Sequence, residues 1–93
     1  MINAYIIWRK VYKVDHSNGQ FKILISAHTD GMFYGMVIYY LRTGSLQNDT
    51  LDLVMKHQNF FGRTEEEVYS LCVEWVRQNL PGGFNVLPPT VEE

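Results

Sequence analysis

One strand-like segment constrains the fold of this chain more than any other feature. Residues 30–42 read DGMFYGMVIYYLR, and between residues 32 and 41 neither of the two alternating sets of side chains is polar. An antiparallel sheet that leaves one face in water shows polar residues on that face. The chain holds one clear helical segment, which can cover one face of such a strand. The other face of the strand must therefore be covered by something other than this helix.

The first part of the chain predicts an antiparallel β-meander of three strands. Residues 4–14 are rich in β-branched and aromatic types, which favour strands. Residues 20–28 alternate with the strand period of two, and the apolar segment 30–42 follows. Two dipeptides typical of two-residue type I′ hairpin turns separate these segments, namely Asn18-Gly19 and Asp30-Gly31.

A polar loop and a fourth strand follow the meander. Residues 43–49 (TGSLQND) are typical of a loop, and residues 50–57 (TLDLVMKH) alternate again and predict a strand. Residues 58–63 (QNFFGR) predict a turn. The sheet predicted from these segments therefore has four strands.

The clearest element is a helix that begins after Thr64. Thr64 and Glu67 have the spacing of a capping box, and three glutamates lie in the first turn, where the helix dipole favours negative charge. Residues 81–83 (Pro-Gly-Gly) end the helix, because proline cannot continue it and glycine accepts the left-handed cap. One apolar stripe recurs at helical spacing, and it consists of Val68, Leu71, Cys72, Trp75, Val76 and Leu80.

These elements predict an α+β fold. It consists of a four-stranded, mostly antiparallel sheet (the β-meander plus one strand) with one C-terminal α-helix packed on one face, so that two layers enclose one core. Phe84 to Leu87 can add a short fifth strand. Residues 1–87 form a single domain, and residues 88–93 are predicted to be a Pro-rich, acidic tail. The alternation does not indicate which sheet face the helix covers.

The uncovered sheet face is predicted to bind a protein, and a second copy of this chain is the partner that we expect. Large exposed apolar surfaces usually mark interaction sites, and aromatic residues and methionine are enriched at interfaces. An exposed sheet edge offers a second route to self-association. The alternative is that loop 43–50 and the tail fold over this face. The aromatic residues expected at the interface are Trp8, Tyr34, Tyr39 and Tyr40, of which only one of the last two can face it.

The distribution of charge leaves a second class of function open. The formal net charge is −2, but residues 1–42 are mildly basic and the residues from 64 onward are acidic. Basic residues beside exposed aromatic strands can bind nucleic acid by charge and stacking. Arg9, Lys10 and Lys13 supply such charge here. Nucleic-acid binding is therefore the alternative function, although the small positive excess counts against it.

The residues before the helix carry one resemblance to a known family. Gly62, Thr64, Glu66 and Glu67 form a Gly-x-Thr-x-Glu-Glu stretch. This stretch resembles the helix entry of small β-β-β-α antitoxin domains of the HicB type, in which it leads from the sheet into a helix. The resemblance implies an antitoxin-like regulatory domain as a form of the alternative function. The strand lengths of this chain depart from that pattern, so the likeness is one of analogy and not of membership.

No pattern in the sequence predicts an enzyme, a metal site or a cofactor. The pair His28 and Asp30 falls short of the three or four ligands that zinc requires, and its role as a ligand is left open. Cys72 lies in the apolar stripe, which predicts a buried and unreactive thiol. A single cysteine, no basic leader and no apolar run of about 20 residues lead us to expect a cytoplasmic protein outside the membrane.

Overall fold

A computed structural model gives the structure and describes residues 5–17, 19–43, 52–80 and 82–92. Most of the described chain lies in strands, and one described helix follows the fourth of them, so the predicted α+β class is confirmed. The elements in chain order are β1 (Ile6–His16), β2 (Gly19–His28), β3 (Phe33–Thr43), β4 (Asp52–Gly62), α1 (Glu65–Asn79), β5 (Phe84–Val86) and β6 (Thr90–Glu92).

The strands form one sheet in which neighbouring strands run antiparallel. Its order is β4-β3-β2-β1-β5, and β6 also pairs with β1. The predicted meander and the fourth strand are therefore confirmed, as is the short strand after the helix. Residues 90–92, assigned to a tail by their composition, form the additional strand β6, which pairs with residues 9–11 of β1.

The two hairpin turns differ in detail from the predicted type I′ turns. Gly19 pairs with His16 and belongs to β2, while Asn18 lies outside the described residues. In the second turn, residues 29–32 connect β2 to β3, and the N–H of Gly31 donates to the carbonyl oxygen of His28 at 3.1 Å. Gly31 has a φ of 82°, the left-handed conformation that glycine adopts in such loops. The hairpin is thus confirmed and its turn type corrected.

The fourth strand is longer than the sequence predicts. Residues 58–62 were predicted to form a turn, but they continue β4 and pair with β3, with Gln58 opposite Val37 and Gly62 opposite Phe33. The cause is the length of β3, since each of its eleven residues finds a partner in β4. Thr43 is the last residue of β3, and the rest of the predicted loop 43–49 lies outside the described residues.

The helix begins as the sequence predicts. The Thr64 Oγ1 accepts a hydrogen bond from the N–H of Glu67 at 3.1 Å, and the Glu67 carboxylate accepts one from the N–H of Arg63 at 3.2 Å. These bonds satisfy backbone donors at the start of the helix that have no partner within it. Leu80 ends the helix, and Gly82 follows with a φ of 125°.

The core lies between α1 and one face of the sheet, which we call the front face. Gly35 is the point of closest approach, because a Cβ atom there would clash with Val68 and lie 2.8 Å from the Cys72 sulfur. Full burial of an aliphatic side chain stabilises a protein by about 1.5–3 kcal/mol. The buried side chains are Val14, Phe21, Ile23, Ile25, Ala27, Val37, Val68, Cys72 and Val76.

Candidate interaction surface

The opposite side of the sheet, which we call the rear face, carries the residues that alternate with the core positions. Leu24 follows the buried Ile23 in β2, and it lies opposite Val11 of β1 and Met36 of β3. Directly paired residues of neighbouring strands share a face of the sheet. The described helix packs on the front face, and no described element lies over the rear face.

Apolar side chains form a cluster on the rear face beside polar ones such as Arg9, Ser26 and Asn59, and we call this cluster the rear patch. At its centre, Leu24 and Met36 are half-buried by their neighbours within the sheet. Phe61 of β4 is 69% exposed and lies opposite Tyr34, while Ile6 of β1 is 54% exposed. Several of these side chains surround a shallow depression of about 280 Å³. The rear patch consists of Ile6, Val11, Leu24, Tyr34, Met36, Ile38 and Phe61.

The tip of the second hairpin holds Tyr34 in place. The Tyr34 hydroxyl donates to Asp30 Oδ2 at 3.1 Å, and the His28 ring packs on the Tyr34 ring with centroids 4.3 Å apart. The hydrogen bond to the Asp30 carboxylate raises the pKa of the Tyr34 phenol. His28 also forms a hydrogen bond of 2.9 Å with Ser26. His28 and Asp30 thus both contact Tyr34, in an arrangement that orients an aromatic ring at the edge of the rear patch.

Three of the four aromatic residues expected at the interface have described side chains, and these three divide between the two faces. Trp8 packs on the front face beside Phe33, with ring centroids 6.1 Å apart. Tyr39 also packs against the core there, with its ring 5.0 Å from that of Trp75. Tyr34 lies on the rear face. Tyr40 follows Tyr39 in β3, and its side chain lies outside the described part of the structure.

The three expected basic residues do not form one patch. The Arg9 guanidinium lies on the rear side and forms an ion pair of 2.6 Å with Glu92 of β6. Lys10 lies on the front side, where its ammonium group is 2.5 Å from the Glu65 carboxylate. The Lys10 ammonium group donates a hydrogen bond to this carboxylate, and the bond raises the pKa of Lys10. Lys13 lies on the rear side, directly opposite Lys22.

The rear-facing residues of β4, above all Phe61, were not predicted as part of a strand. Phe61 belongs to the segment QNFFGR, which was predicted to form a turn. The strand period is weak here, because His57 and Asn59 interrupt the apolar set of residues 51, 53 and 55 before Phe61. Polar residues are compatible with a strand at the edge of a sheet, where they face water.

The two edges of the sheet differ. Along β1, the short strands β5 and β6 pair with residues 14–16 and 9–11. Along β4, no described residue pairs with the outer edge. Eleven consecutive residue pairs join β4 to β3 without a register shift. The described structure therefore presents a long, regular and unpaired strand edge beside the rear patch.

The Cys72 thiol, a second depression and the side chains that could bind a metal are the other chemical features of the described chain. Burial raises the pKa of the Cys72 thiol to about 12, because the thiolate would lie in an apolar core. An open depression on the front side is lined by Tyr12, Tyr69, Ser70, Glu65 and Glu66. Among the described residues, no cluster of three or more histidine, cysteine or acidic side chains could hold a metal ion.

Comparisons with known proteins identify no relative. No protein-family description, no curated protein and no solved structure matches this chain. Within the described residues, no helix is long and apolar enough to cross a membrane. Any assignment of function therefore depends on the surfaces described above.

Proposed function

We propose that this protein is a small, non-catalytic interaction module that self-associates through the open side of its β-sheet. One observation carries the proposal, namely the asymmetry of the sheet. The front face is covered by α1 and the β1 edge by β5 and β6, whereas no described element covers the rear face or the β4 edge. The uncovered side is the one that can receive a partner.

The size and composition of the uncovered side support this function. Isolated apolar side chains are common on protein surfaces, but contiguous apolar patches usually mark interaction sites. Phe61, Tyr34 and Met36 are of the types that are enriched at interface cores. The molecule measures 51 × 30 × 22 Å, so its broad side is larger than the roughly 800 Å² per partner that a stable interface buries.

A second copy of the chain is the partner that these features favour. A twofold interface uses the same surface of both copies, so that surface must be complementary to itself. Phe61, 69% exposed, projects from the same side of the sheet that carries the 280 Å³ depression. An unpaired strand edge is also complementary to itself, since antiparallel strands offer each other both donors and acceptors.

Nucleic-acid binding, the alternative that the sequence leaves open, has no structural observation in its favour. Carboxylates of Glu92 and Glu65 pair with Arg9 and Lys10, which reduces the charge that these cations offer to phosphate. On the rear face, Lys13 and Lys22 lie opposite each other as a cross-strand pair of like charge. The affinity of a protein for nucleic acid depends on the number of phosphates that it neutralises, and two lysines neutralise few of them.

A reducing compartment, the cytoplasm, is the location that we propose for this module. The support is its cysteine usage, since Cys72 is the single cysteine and its thiol is buried in the core. Domains of this size in oxidising compartments commonly carry disulfides.

Absolute mass measured by light scattering across a size-exclusion peak, at two loading concentrations, tests the proposed function. We expect about twice the chain mass of 10.9 kDa at the higher concentration, with a decrease on dilution if exchange is rapid. A monomer at both concentrations, up to the millimolar range, would contradict self-association.

A further inference from the structure

We propose that β4 is the strand through which two copies join, pairing antiparallel with β4 of the second copy over its full length. In this arrangement, residue 52 of one copy lies opposite residue 62 of the other, and His57 lies opposite itself at the twofold axis. The inference depends on the proposed function, because it names the surface by which the module self-associates.

Among the described residues, one edge of the sheet is covered and the other is open. Strands β5 and β6 come from the segment after the helix, and both pair with β1. The Arg9–Glu92 ion pair lies where β6 meets β1. The outer edge of β4 has no such partner among the described residues. The backbone groups on this outer edge can therefore pair with another strand.

Strand β4 also has few of the features that protect an edge strand from pairing. Natural edge strands are commonly short, interrupted by a bulge or by proline, or rich in charge. Strand β4 has eleven residues and contains no proline. Its register with β3 is continuous, whereas that of β1 with β2 shifts between Ile6 and Trp8. Its two formally charged residues, Asp52 and Lys56, are of opposite sign.

The sequence of β4 is, in addition, complementary to itself in the full-length register. Lys56 then lies opposite Gln58, and the sheet positions of Phe60 and Phe61 lie opposite residues 54 and 53, which are valine and leucine. Residues directly opposite each other on antiparallel strands share a face, and apolar pairs there stabilise the sheet. A register two residues shorter would place Lys56 opposite Lys56, and like charges in such a position are destabilising.

The same arrangement explains why Phe61 is so exposed in one copy. Phe61 lies on the outermost strand, at the border of the rear patch. When two β4 strands pair, the sheet of the second copy lies beside Phe61. The border of the rear patch then becomes the interior of one continuous sheet. The resulting assembly closes by its twofold symmetry, since both β4 edges are then used.

Disulfide cross-linking at residue 57 tests the register directly. His57 is exposed, so that His57→Cys leaves the core intact. Opposite Cα atoms in an antiparallel pair are about 4.5–5.5 Å apart, within the range that a disulfide spans. Asn59→Cys is the matched control, because residue 59 is also exposed on the rear side. In the proposed dimer, residue 59 of one copy would lie four residues, or about 13 Å, along the strands from residue 59 of the other copy.

The native thiol does not interfere with this measurement, because Cys72 is fully buried and its pKa is raised to about 12. After mild oxidation, we expect His57→Cys to run mainly as a covalent dimer on a non-reducing gel. Asn59→Cys is expected to remain at least tenfold less cross-linked under the same conditions. At concentrations low enough for light scattering to show a monomer, the difference in cross-linking between the two variants should disappear.

The possible contrary results separate the two proposals. A protein that is dimeric by light scattering but shows no preference for position 57 would overturn the β4 register and leave self-association, through the rear patch, intact. Stronger cross-linking at position 59 would overturn the register in the same way. A protein that is monomeric by light scattering and does not cross-link at either position would overturn both proposals.

Discussion

The two faces of the β-sheet are built from adjacent residues of the same strands, and yet their environments differ sharply. In β2, Ile23 is fully buried under the helix, whereas its neighbour Leu24 is half-buried by rear-face neighbours. Both are large aliphatic residues, and hydrophobicity alone does not distinguish them. The difference is that the helix packs on one side only. In this small domain, burial therefore depends on which element covers a face.

The largest effect should come from truncation of the front face. We expect Ile23→Ala to lower the free energy of unfolding by about 2–5 kcal/mol, because it leaves a cavity in the core. The matched change Leu24→Ala should cost about 1 kcal/mol, since that side chain is only partly removed from water. Urea unfolding of both variants measures the difference. Equal losses would mean that the rear face is as well packed as the front.

Substitution of Gly35 should have the next largest effect. A Cβ atom at this position would clash with Val68 of the helix, and overpacking of this kind costs about 1–3 kcal/mol. The control is Gly83→Ala, because an added Cβ at Gly83 meets no atom within 4 Å. Thermal and urea unfolding of Gly35→Ala should show the loss. A stability unchanged from that of the Gly83 variant would contradict the close approach of helix and sheet at this strand.

Loss of the helix cap should weaken the cover of the front face by a smaller amount. Thr64→Ala removes the side-chain oxygen that accepts the N–H of Glu67, and such a loss costs about 1 kcal/mol. Thr64→Ser keeps this oxygen and serves as the matched control. Urea unfolding should show the loss in the alanine variant and not in the serine variant. Equal destabilisation of both would show that the threonine methyl group, and not the cap, matters.

Much of the fold was predictable, because its signals are local. The capping residues Thr64 and Glu67 and the apolar stripe after them indicate the helix, and strand alternation indicates the meander. Strand β6 was not predictable in this way. Its three residues show no apolar alternation, and they form a strand because the edge of β1 is available, which depends on residues about 80 positions earlier in the chain.

The candidate surface was predictable only in part. Since both sets of side chains in β3 are apolar, alternation could not show that Tyr39 packs on the front face and Tyr34 lies on the rear. The local signal that distinguishes them is Gly35, because glycine within a strand often marks a close approach of another backbone. Gly35 belongs to the same alternating set as Tyr39, and that set faces the helix.

Substitution of the basic residues, measured by elution from a polyanion column, is expected to have the smallest effect. The double variant Lys10→Glu and Lys13→Glu should elute from a heparin column at nearly the same low salt concentration as the native protein. The reason is that Glu65 already pairs with Lys10 and that Lys13 lies opposite only one residue of β2, Lys22. Strong retention of the native protein, lost in the double variant, would instead favour nucleic-acid binding.

Amide hydrogen exchange at two protein concentrations tests the central claim most directly, because it compares the two sheet edges in one experiment. The edge of β1 is covered within a single copy by β5 and β6, whereas the outer edge of β4 is unpaired among the described residues. We predict that exchange in peptides from β4 slows as the concentration rises, while exchange in β1 stays the same. If exchange in β4 were independent of concentration up to the millimolar range, the claim that a second copy binds this edge would be contradicted.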